Sequence, residues 1–342
     1  MSTVTVTQAE LKDLIAAALV RHDTSAGNAD LVAAALVAAE TDGQKGHGAS
    51  RVESYSAQSA SGKVDGHAVP TCTKVAAAAL RVDAGNGFSF PAIDLAVREL
   101  AALAPATGIA VAAIHRSHHA GQMGAHVERL AEAGLVALMV ANTPKAMAPW
   151  GGSDGVFGTN PIAFAAPRGD LPPLVIDLSL SKVARGKILV ASQKGEPIPD
   201  DWARGPDGRP TTDAKAALAG TLLPIGDAKG AALALMVEVL AAAVTGAALA
   251  GEAASFFTGE GDPPAVGQLI IAIDPGSLSG GLFAERLETL LGSMAAQDGV
   301  RLPGTRRLAA REAAARDGLT LPRAQYDQIL GLAGRAGNQP ET

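Results

Sequence analysis

The chain opens with apolar residues at the three- and four-residue spacing that is typical of an amphipathic helix. Leu11, Leu14 and Ile15 fall on one face of such a helix. Thr7 precedes them and Glu10 follows three residues later, the spacing of a capping box in which each side chain bonds the other residue's backbone N–H. The pattern therefore predicts a helix that begins directly after Thr7.

Two further helices are predicted in the N-terminal part of the chain. Apolar positions within Ala29–Glu40 predict the second helix, with Asn28 as its N-cap and Asp42-Gly43 as its end. A third helix is expected to carry Arg51 and Tyr55. If the segment is already helical at Arg51, the four-residue separation puts both side chains on one face.

The middle of the chain changes to short β-branched or apolar runs, separated by Gly- and Pro-rich turns and by a helical pattern at Met123–Ala133. The runs that predict strands are Gly108–Ile114, Leu135–Val140, Asn160–Ala165, Leu174–Asp177 and Leu269–Ile273. Helical patterns return in the last third, including Arg306–Arg316. The alternation predicts an α/β protein whose loops carry the chemistry.

The composition excludes several classes of protein. With 342 residues, 48% hydrophobic residues and a net charge of −6, the chain does not fit the pattern of a disordered protein. The 28 Lys and Arg residues face 34 Asp and Glu residues, and only 3% are aromatic, which speaks against a nucleic-acid partner. The single cysteine, Cys72, permits no intramolecular disulfide and favours a cytoplasmic location.

Three segments need an interpretation of their own. Gly230–Ala250 approaches the length of a membrane span, but alanine dominates it and Glu238 and Gly246 interrupt it, so a buried helix is favoured and no membrane association is expected. The polar, Pro- and Gly-rich segment Gln193–Ala214 is expected to be either a functional lid or disordered. Ala336–Thr342 is predicted to be a disordered tail.

Candidate chemistry begins at the motif Ser117-His118-His119. It follows directly on the predicted strand Gly108–Ile114, with Gly121 and Gly124 just beyond. Open α/β sheets place ligand sites at such strand ends, and histidine exchanges protons near neutral pH. Spacing alone leaves a second interpretation open, in which these histidines only bond backbone groups at a turn.

A second candidate group combines His47, Arg51 and Tyr55. Arginine suits a planar carboxylate, because its guanidinium donates two parallel hydrogen bonds. Together with a proton donor, the three residues have the chemistry to hold an anionic carboxylate. For this segment taken alone, a solvated helix face is the favoured alternative.

Several known ligand motifs are absent from the sequence. No His-Glu-x-x-His and no cysteine pair occurs, and adjacent histidines point to opposite faces of a strand, so no metal site is predicted. Neither a phosphate-binding Gly-x-x-x-x-Gly-Lys-Ser/Thr nor a Gly-x-Gly-x-x-Gly occurs, so an ordinary Rossmann site is not supported. Gly151–Gly155 matches the Gly-x-Ser-x-Gly spacing of a hydrolase, but lacks the strand and helix that this motif requires.

Other turns have features that suit a nucleotide. Pro149–Gly152, Gly158–Pro161 and Gly226–Gly230 are Gly-rich turns that expose backbone N–H groups. Lys229 stands at the start of a predicted helix, where its charge and the helix dipole both favour a phosphate. Asp177–Ser181 ends a predicted strand with a carboxylate and two hydroxyls. Each feature is weak separately, because glycines in turns are more often structural.

Ten motifs follow one another between Gly46 and Pro275, within a family match that runs from about Thr7 to Arg311, nearly the whole chain. In order they are Gly46-His47-Gly48-x-x-Arg51, Ser117-His118-His119, Asn142-Thr143-Pro144, Pro149-Trp150-Gly151-Gly152, Gly158-Thr159-Asn160-Pro161-Ile162-Ala163-Phe164, Ile176-Asp177-Leu178-Ser179, Ala184-Arg185-Gly186-Lys187, Pro210-Thr211-Thr212-Asp213, Lys229-Gly230 and Ala272-Ile273-Asp274-Pro275. The set resembles the type-2 malate/L-lactate dehydrogenase family. Relatives include ureidoglycolate, sulfolactate and diketogulonate oxidoreductases and the reductases of piperideine- and pyrroline-2-carboxylate.

The resemblance implies an NAD(P)-dependent oxidoreductase with the family's own α/β fold, distinct from the Rossmann fold, with helical N- and C-terminal parts. It implies NAD(H) or NADP(H) as cofactor, a small anionic carboxylate as substrate, and a homodimer. Residues 1–72 with 276–335 are expected to form a helical part for substrate binding and dimerisation. Residues 73–275 are expected to form the α/β part that binds the cofactor.

The resemblance also implies roles for particular residues. His119 matches the general acid/base, with His47 as the second catalytic candidate. The substrate positions are Arg51, Tyr55 and Thr159. The cofactor positions are Ala120, Gly121, Gln122, Met123, Gly124, Thr143, Asp177, Leu178, Ser179, Lys229, Gly304 and Arg306. In the implied reaction the nicotinamide passes hydride to a carbon next to a carboxylate, a histidine supplies the proton, and Arg51 holds the carboxylate.

Three positions depart from the family pattern. Many relatives carry serine where Gly46 stands, so a relay from that hydroxyl to His47 is absent, and His119 is favoured as the proton donor. Relatives often carry asparagine at the position of His118 and glycine at that of Asp227. An acid at Asp227 is expected to weaken phosphate contacts of the nearby Lys229.

Three functions therefore stay open at the level of sequence. The first is a dehydrogenase of 2-hydroxy acids similar to malate, lactate or sulfolactate, which the loss of the serine before His47 mildly favours. The second is a reductase of cyclic or N-alkyl imino acids, such as piperideine- or pyrroline-2-carboxylate. The third is a non-catalytic binding protein on the same fold.

Overall fold

The computed structural model describes residues 2–335, so the tail predicted at residues 336–342 lies outside the described residues. The strands are β1 (Thr3–Val6), β2 (Thr71–Ala76), β3 (Ala79–Asp83), β4 (Ile109–Ser117), β5 (Val136–Ala141), β6 (Ile162–Arg168), β7 (Leu171–Leu178), β8 (Ala203–Arg204), β9 (Thr221–Leu222), β10 (Val266–Ile273) and β11 (Leu319–Pro322).

The α-helices are α1 (Gln8–Arg21), α2 (Ala26–Thr41), α3 (Val52–Ala60), α4 (Ser89–Thr107), α5 (Met123–Glu132), α6 (Arg185–Lys194), α7 (Ala214–Ala219), α8 (Asp227–Glu238), α9 (Pro275–Ser279), α10 (Phe283–Ala295), α11 (Thr305–Asp317) and α12 (Arg323–Leu332). Short 3-10 turns at Lys45–His47 and Ala49–Arg51 precede α3, and a π-helix at Val239–Ala243 continues α8.

A seven-stranded mixed sheet in the order β2-β3-β4-β10-β5-β6-β7 forms the centre of the molecule. Only β3 and β4 run parallel; every other neighbouring pair is antiparallel. All five predicted strands occur, with ends within three residues of the predicted ones. The sheet is therefore not the parallel, doubly wound sheet of a Rossmann domain.

Both faces of this sheet are covered, because successive strand residues point to opposite sides. On β4, Ala112 and Ile114 pack into the cluster formed with α4 and α5. Val111 and Ala113, between them, pack against the cluster that contains α8 and the π-helix. Gly267 in β10 permits this second layer to approach, because a Cβ there would overlap the carbonyl oxygen of Ala241 in the π-helix.

The N- and C-terminal segments form a separate apolar cluster from α1, α2, α3 and α12, together with the β1–β11 pair. The predicted capping box at α1 is confirmed, since Thr7 accepts from Glu10 N and Glu10 accepts from Thr7 N. The predicted cap of α2 is wrong. The helix begins one turn earlier with Ser25 as its N-cap, and Asn28 instead donates to two backbone carbonyls in the loop after α3.

The long apolar run Gly230–Ala250 supplies most of α8 and the π-helix, packed against the sheet as expected. No helix within residues 2–335 combines the length and the apolar character that a membrane crossing requires. The polar segment Gln193–Ala214 has little regular structure, yet Ile198 and Ala203 are buried among α6, α7 and α8. That packing removes the alternative in which this segment is disordered.

Candidate active site

The two histidines after β4 are held by hydrogen bonds to their backbone. Ser89 Oγ donates to the carbonyl of His119 at 2.6 Å, and Gln268 Nε2 donates to the carbonyl of His118 at 3.0 Å. Both histidines are buried between the end of β4 and the start of α5. These bonds fix the backbone from which both imidazoles project.

His119 and Tyr55 form the central pair of the site. Tyr55 Oη lies 2.6 Å from His119 Nδ1, and Tyr55 is 0% exposed. The ring of His47 stacks on that of His119, with centroids 5.2 Å apart and planes inclined by 18°. Residues that are far apart in sequence, on α3, on the 3-10 turn before it and after β4, therefore meet at one imidazole.

Burial keeps this imidazole uncharged in the free protein. Loss of hydration, followed by the positive charge of Arg51 and the neighbouring His47 and His118, lowers the pKa of His119 well below its ordinary value. Burial likewise lowers the pKa of His47 to about 4 and raises the pKa of Tyr55. Because Tyr55 keeps its proton at neutral pH, its hydroxyl is able either to donate to His119 Nδ1 or to accept from it.

Arg51 lies at the open side of this group. Its Nε donates to the carbonyl oxygen of Gly46 at 2.7 Å, and its guanidinium carbon lies 4.8 Å from the ring centre of Phe257. Within residues 2–335 no carboxylate lies in ion-pair distance of Arg51. The Nη edge is thus available to an anion that comes from outside the chain.

The predicted common face of Arg51 and Tyr55 needs correction. Arg51 ends a 3-10 turn and α3 begins only at Val52. Tyr55 points into the core, where its ring packs at 5.4 Å from that of Phe88. In this conformation the fully buried phenol contacts His119, and a contact of Tyr55 with substrate stays a prediction.

The two threonines with separate predicted roles lie side by side. Thr143 Oγ1 accepts a hydrogen bond from Thr159 N at 2.9 Å, and the two hydroxyl oxygens are 3.5 Å apart. Gly158 makes this approach possible, since a Cβ at that position would overlap Thr143. A position expected to bind cofactor and one expected to bind substrate therefore form one surface.

Glu238 holds this surface from behind and was missed by sequence reasoning. Its carboxylate accepts from Asn142 Nδ2 at 3.2 Å, from Asn160 Nδ2 at 2.9 Å and from Ala250 N at 2.7 Å. Asn142 and Asn160 are each adjacent to one of the two threonines. The one signal in the sequence was an acidic residue inside an alanine-rich run.

Eight of the predicted cofactor positions form two groups: Asp177–Ser179 at the end of β7, and Ala120–Gly124 at the start of α5. Asp177 Oδ2 accepts from Gly124 N at 2.7 Å, so the end of β7 meets the first turn of α5. Burial raises the pKa of Asp177 to about 6, although the hydrogen bond from Gly124 N lowers it. Because the side chain is also partly exposed to solvent, the carboxylate is ionised at neutral pH. Leu178 is exposed beside it, and Ser179 Oγ lies 3.2 Å from Ser181 Oγ.

The turn before α5 offers backbone more than side chains. Ala120 and Met123 are buried, and Gly121 packs so closely on Phe90 that a Cβ would crowd its ring. Gln122 Nε2 donates to Asp42 Oδ2 at 2.6 Å, so this side chain faces the internal ion cluster, which consists of Asp42, Glu128, Arg307 and Arg311. Any cofactor contact of Gln122 or Met123 would therefore use the backbone.

The internal ion cluster fixes the predicted position at the start of α11. Arg311 Nε donates to Asp42 Oδ1 at 2.5 Å, and Arg307 Nη1 donates to Glu128 Oε2 at 2.5 Å. Arg307 is buried, whereas the predicted Arg306 is exposed. Among the residues that the structure describes, Arg307 Nε and Nη2 have no hydrogen-bond partner, and Nη2 lies near Gly304, which has a left-handed φ of +84°. The sequence offers both arginines as candidates for a 2′-phosphate, or as an exposed helix start, and Arg306 is the predicted cofactor position.

These features fit an anionic dinucleotide. The N-terminus of α11, with the positive charge of Arg307 buried behind it, and an acceptor at Asp177 lie around the same turns. Lys229 is exposed in the first turn of α8, as predicted. Within residues 2–335 no cluster of three or more His, Cys, Asp or Glu side chains is arranged to hold a metal ion.

Comparison with known proteins identifies the class that this fold and site define. The profile of the malate/L-lactate dehydrogenase family matches residues 6–330. The (2R)-3-sulfolactate dehydrogenase (NADP(+)) of Chromohalobacter salexigens is 52% identical over 295 residues, covering 86% of this chain and 88% of that protein. The Δ1-pyrroline-2-carboxylate/Δ1-piperideine-2-carboxylate reductase of Pseudomonas putida is 42% identical over 330 residues, covering 95% and 96%.

Solved structures agree with these sequence matches. The Δ1-piperideine-2-carboxylate reductase of Pseudomonas syringae pv. tomato superposes with a TM-score of 0.90 at 40% identity, covering 96% of this chain and 99% of that one. Sulfolactate dehydrogenase of Methanocaldococcus jannaschii has a TM-score of 0.89 at 28% identity, covering 97% and 98%. The chain belongs to the malate/L-lactate dehydrogenase family and is an enzyme with that family's α/β fold, which confirms both the resemblance and the fold class.

Proposed function

We propose that this enzyme is an NAD(P)-dependent oxidoreductase that transfers hydride between the nicotinamide and a small 2-oxo or 2-hydroxy acid similar to sulfolactate, lactate or malate. The observation that carries the proposal is the arrangement of Arg51, with an unpaired Nη edge, near the His119–Tyr55 pair. The 52% identity to a sulfolactate dehydrogenase supports this substrate class. That relative is named as NADP(+)-dependent, which supports NADP(H) over NAD(H).

Arg51 has the first role in the proposed mechanism. Its Nη edge binds the substrate carboxylate, and the bidentate geometry fixes the orientation of the neighbouring carbon. Binding of this anion offsets the positive charge that helps to lower the pKa of His119. Substrate binding thus raises the pKa of its proton donor. The imidazole of His119 is uncharged in the free enzyme and is easier to protonate once the carboxylate is bound.

His119 moves the proton. Tyr55 occupies Nδ1, so Nε2 is the nitrogen that faces the substrate oxygen or nitrogen. A hydroxyl that donates or accepts at Nδ1 accommodates both protonation states of Nε2, as a reversible reaction requires. The stacked His47 is the second candidate, but within residues 2–335 its Nδ1 has no hydrogen-bond partner, whereas that of His119 is paired with Tyr55, which favours His119.

The predicted cofactor residues hold the dinucleotide in this proposal. Thr143, Asp177, Ser179 and the backbone of Ala120–Gly124 would line one side, with Lys229 and the Gly304–Arg307 turn available to phosphates. When bound, the nicotinamide supplies the hydride chemistry. Thr159 borders Thr143 and would place the substrate against this surface.

The second candidate substrate class is the imino acids. Relatives named as pyrroline- and piperideine-2-carboxylate reductases reach 42% identity, and one solved structure of this kind superposes at a TM-score of 0.90. The same arginine and histidine chemistry serves a C=N bond, because both substrate classes carry a carboxylate next to the reduced carbon. The absence of a serine at Gly46 favours the oxo acids.

A substrate panel tests this assignment. Oxidation of NADPH and NADH is followed by absorbance with pyruvate, oxaloacetate, sulfopyruvate and piperideine-2-carboxylate. We expect the highest kcat/KM with sulfopyruvate and NADPH. Turnover of the imine alone would replace the first candidate by the second. A failure of the protein to bind nicotinamide in titration would favour the remaining alternative, a non-catalytic binding protein. A His119→Ala variant as active as the wild type would remove His119 from the mechanism.

The assembly and domain assignments complete the proposal. Leu235, Met236, Val239 and Val244 are apolar and about half exposed on α8, the π-helix and the residue after it, which supports a homodimer. Residues 1–72 with 276–335 would bind substrate and contribute to the dimer, and residues 73–275 would bind the cofactor.

A cytoplasmic location is part of the same proposal. The single cysteine and the nicotinamide chemistry support it. Light scattering after size exclusion tests the dimer: a mass of one chain at micromolar concentration would overturn it. Fractionation of cells that express the natural gene tests the location.

A further inference from the structure

The loop Ser255–Glu260, here called the aromatic loop, contacts two of the proposed catalytic and substrate residues. Phe256 is buried, and its ring centre lies 5.2 Å from those of His118 and His119. Phe257 is 62% exposed, and the guanidinium of Arg51 lies over its ring at 4.8 Å. No motif in the sequence had pointed to this loop.

A buried lysine holds the aromatic loop. Lys63 is 3% exposed, and its Nζ donates to the carbonyls of Ser255 at 2.7 Å, Thr258 at 2.9 Å and Glu260 at 2.7 Å. Three backbone acceptors saturate the three donors of the ammonium group. Gln58 Nε2 adds a bond to the carbonyl of Phe256 at 2.9 Å. The loop is therefore fixed to the end of α3 and the turn behind it, close to Arg51.

Two contacts restrict Arg51. The bond from Nε to Gly46 fixes one edge of the guanidinium, and the face of Phe257 supports its plane. Together they leave the Nη edge as the free edge. An arginine that is already oriented loses less side-chain freedom when it binds a carboxylate, which strengthens binding.

We infer that the aromatic loop is part of the substrate site, with Phe257 as a positioning residue that orients Arg51 for the substrate's anionic group and Lys63 as the residue that holds the loop. The inference rests on the proposed role of Arg51 in binding the substrate carboxylate. It assigns no role in cofactor binding to the loop. Phe257 therefore affects the Michaelis constant of the acid and leaves the affinity for NADPH unchanged.

The test compares Phe257→Leu, which removes the aromatic face, with Phe257→Tyr, which keeps it. An exposed cation–π contact is worth about a two- to fivefold change in affinity. We expect Phe257→Leu to raise the KM of the acid by about that factor, with kcat and the Kd of NADPH unchanged and with wild-type values for Phe257→Tyr. Leu278→Ala, at an exposed apolar position on α9, is the matched control and is expected to change none of these.

Three outcomes decide the matter. An unchanged KM in Phe257→Leu, or an equal rise in Phe257→Leu and Phe257→Tyr, would overturn the inference while the wild type remains active and the proposed function stands. If the wild type reduces none of the acids, the proposed function fails. Calorimetric titration of sulfopyruvate into the wild type and into Phe257→Leu, each with NADP+ present, then tests the aromatic loop separately. Equal affinities of the two proteins for sulfopyruvate would refute the role of the loop in substrate binding.

A second variant tests the anchor. Lys63→Met removes the ammonium and leaves three loop carbonyls without their donor, so we expect the KM of the acid to rise at least as much as in Phe257→Leu. The Kd of NADPH, measured on the same preparation, separates loss of loop position from general loss of structure. A parallel change in both constants would contradict the assignment of Lys63 to the substrate side alone.

Discussion

Removal of one oxygen atom tests the central pair of the site. Tyr55→Phe keeps the ring that packs on Phe88 and deletes the hydroxyl that lies 2.6 Å from His119 Nδ1. Tyr55 is fully buried, so no water replaces the lost group without a rearrangement. The imidazole of His119 then has no fixed partner at Nδ1, and neither its tautomer nor its ring orientation is set.

The size of the effect follows from the cost of an unpartnered polar group. Leaving a buried hydrogen-bonding atom without its partner costs about 1–3 kcal/mol. Because each 1.36 kcal/mol in the barrier is a factor of ten in rate, we expect kcat to fall by about 5- to 150-fold. The KM of the acid should stay near its wild-type value, since Arg51 keeps its contacts with Gly46 and Phe257.

The assay is steady-state kinetics with NADPH and the best acid of the panel, at pH 7.5. Tyr326→Phe is the matched control, because Tyr326 is the other tyrosine of the chain, is only partly buried on α12, and makes no hydrogen bond through its hydroxyl within residues 2–335. A kcat of Tyr55→Phe within twofold of the wild type, or an equal loss in Tyr326→Phe, would refute the role of Tyr55 in positioning His119.

Three further predictions concern stability. Glu238→Gln replaces a carboxylate oxygen by an NH2 group that faces other N–H donors, those of Asn142, Asn160 and Ala250. We expect a loss of about 1–3 kcal/mol in the free energy of unfolding from urea titration, together with a higher Kd of NADPH. An unchanged Kd would show that Glu238 does not support the Thr143 surface for cofactor binding. Arg311→Met leaves the buried carboxylates of Asp42 and Glu128 with Arg307 as their remaining cation, so we expect a cost of about 2–4 kcal/mol, less than for a fully unpaired buried charge because Arg307 remains and Arg311 is 33% exposed; a loss below 1 kcal/mol would contradict this. Burial lowers the folded-state pKa of His118 to about 3 and that of His126 to about 4, whereas the unfolded chain has an ordinary value of about 6.5 and therefore binds more protons. The stability is thus full above pH 6.5 and falls by about 2 kcal/mol per histidine between pH 6.5 and pH 5. An equal free energy of unfolding at both pH values would contradict this prediction.

The periodic elements were the part of the fold that local sequence specified. The capping box at Thr7 needs only residues three positions apart, and the structure contains it. The five strands came from continuous apolar runs, which read as strands wherever both faces are covered. The cap of α2 was misplaced because Asn28 and Ser25 are both good cap residues, and the loop at Gly66 decides between them.

The elements that depend on distant partners were missed. The strands β1 and β11 have four residues each and pair across almost the entire chain, so neither carries a local signal. The hairpin β2–β3 lies at the edge of the sheet, with β2 largely exposed, and its alternation is weak. A short strand becomes stable only through the partner that its neighbours bring to it.

The candidate site shows the same division. The motifs identified His47, Arg51, His119 and Thr159 as residues with suitable chemistry. They could not show that Tyr55 faces inward, that Arg307 rather than Arg306 is buried, or that Phe257 lies under Arg51. Each of these facts depends on which side chain the packing turns inward, and that choice is made by contacts between segments far apart in sequence.

The sequence by itself determined the class of enzyme, since ordered motifs over nearly the whole chain specify a family. It also determined the five central strands and six of the twelve described helices, since their periodicity is local. Only the tertiary structure decided how the chemistry is arranged. It placed His119 between Tyr55 and His47 and put Glu238 behind both threonines. Hydrogen bonds of under 3.5 Å depend on the relative positions of several packed segments at once, and no stretch of sequence encodes that alone.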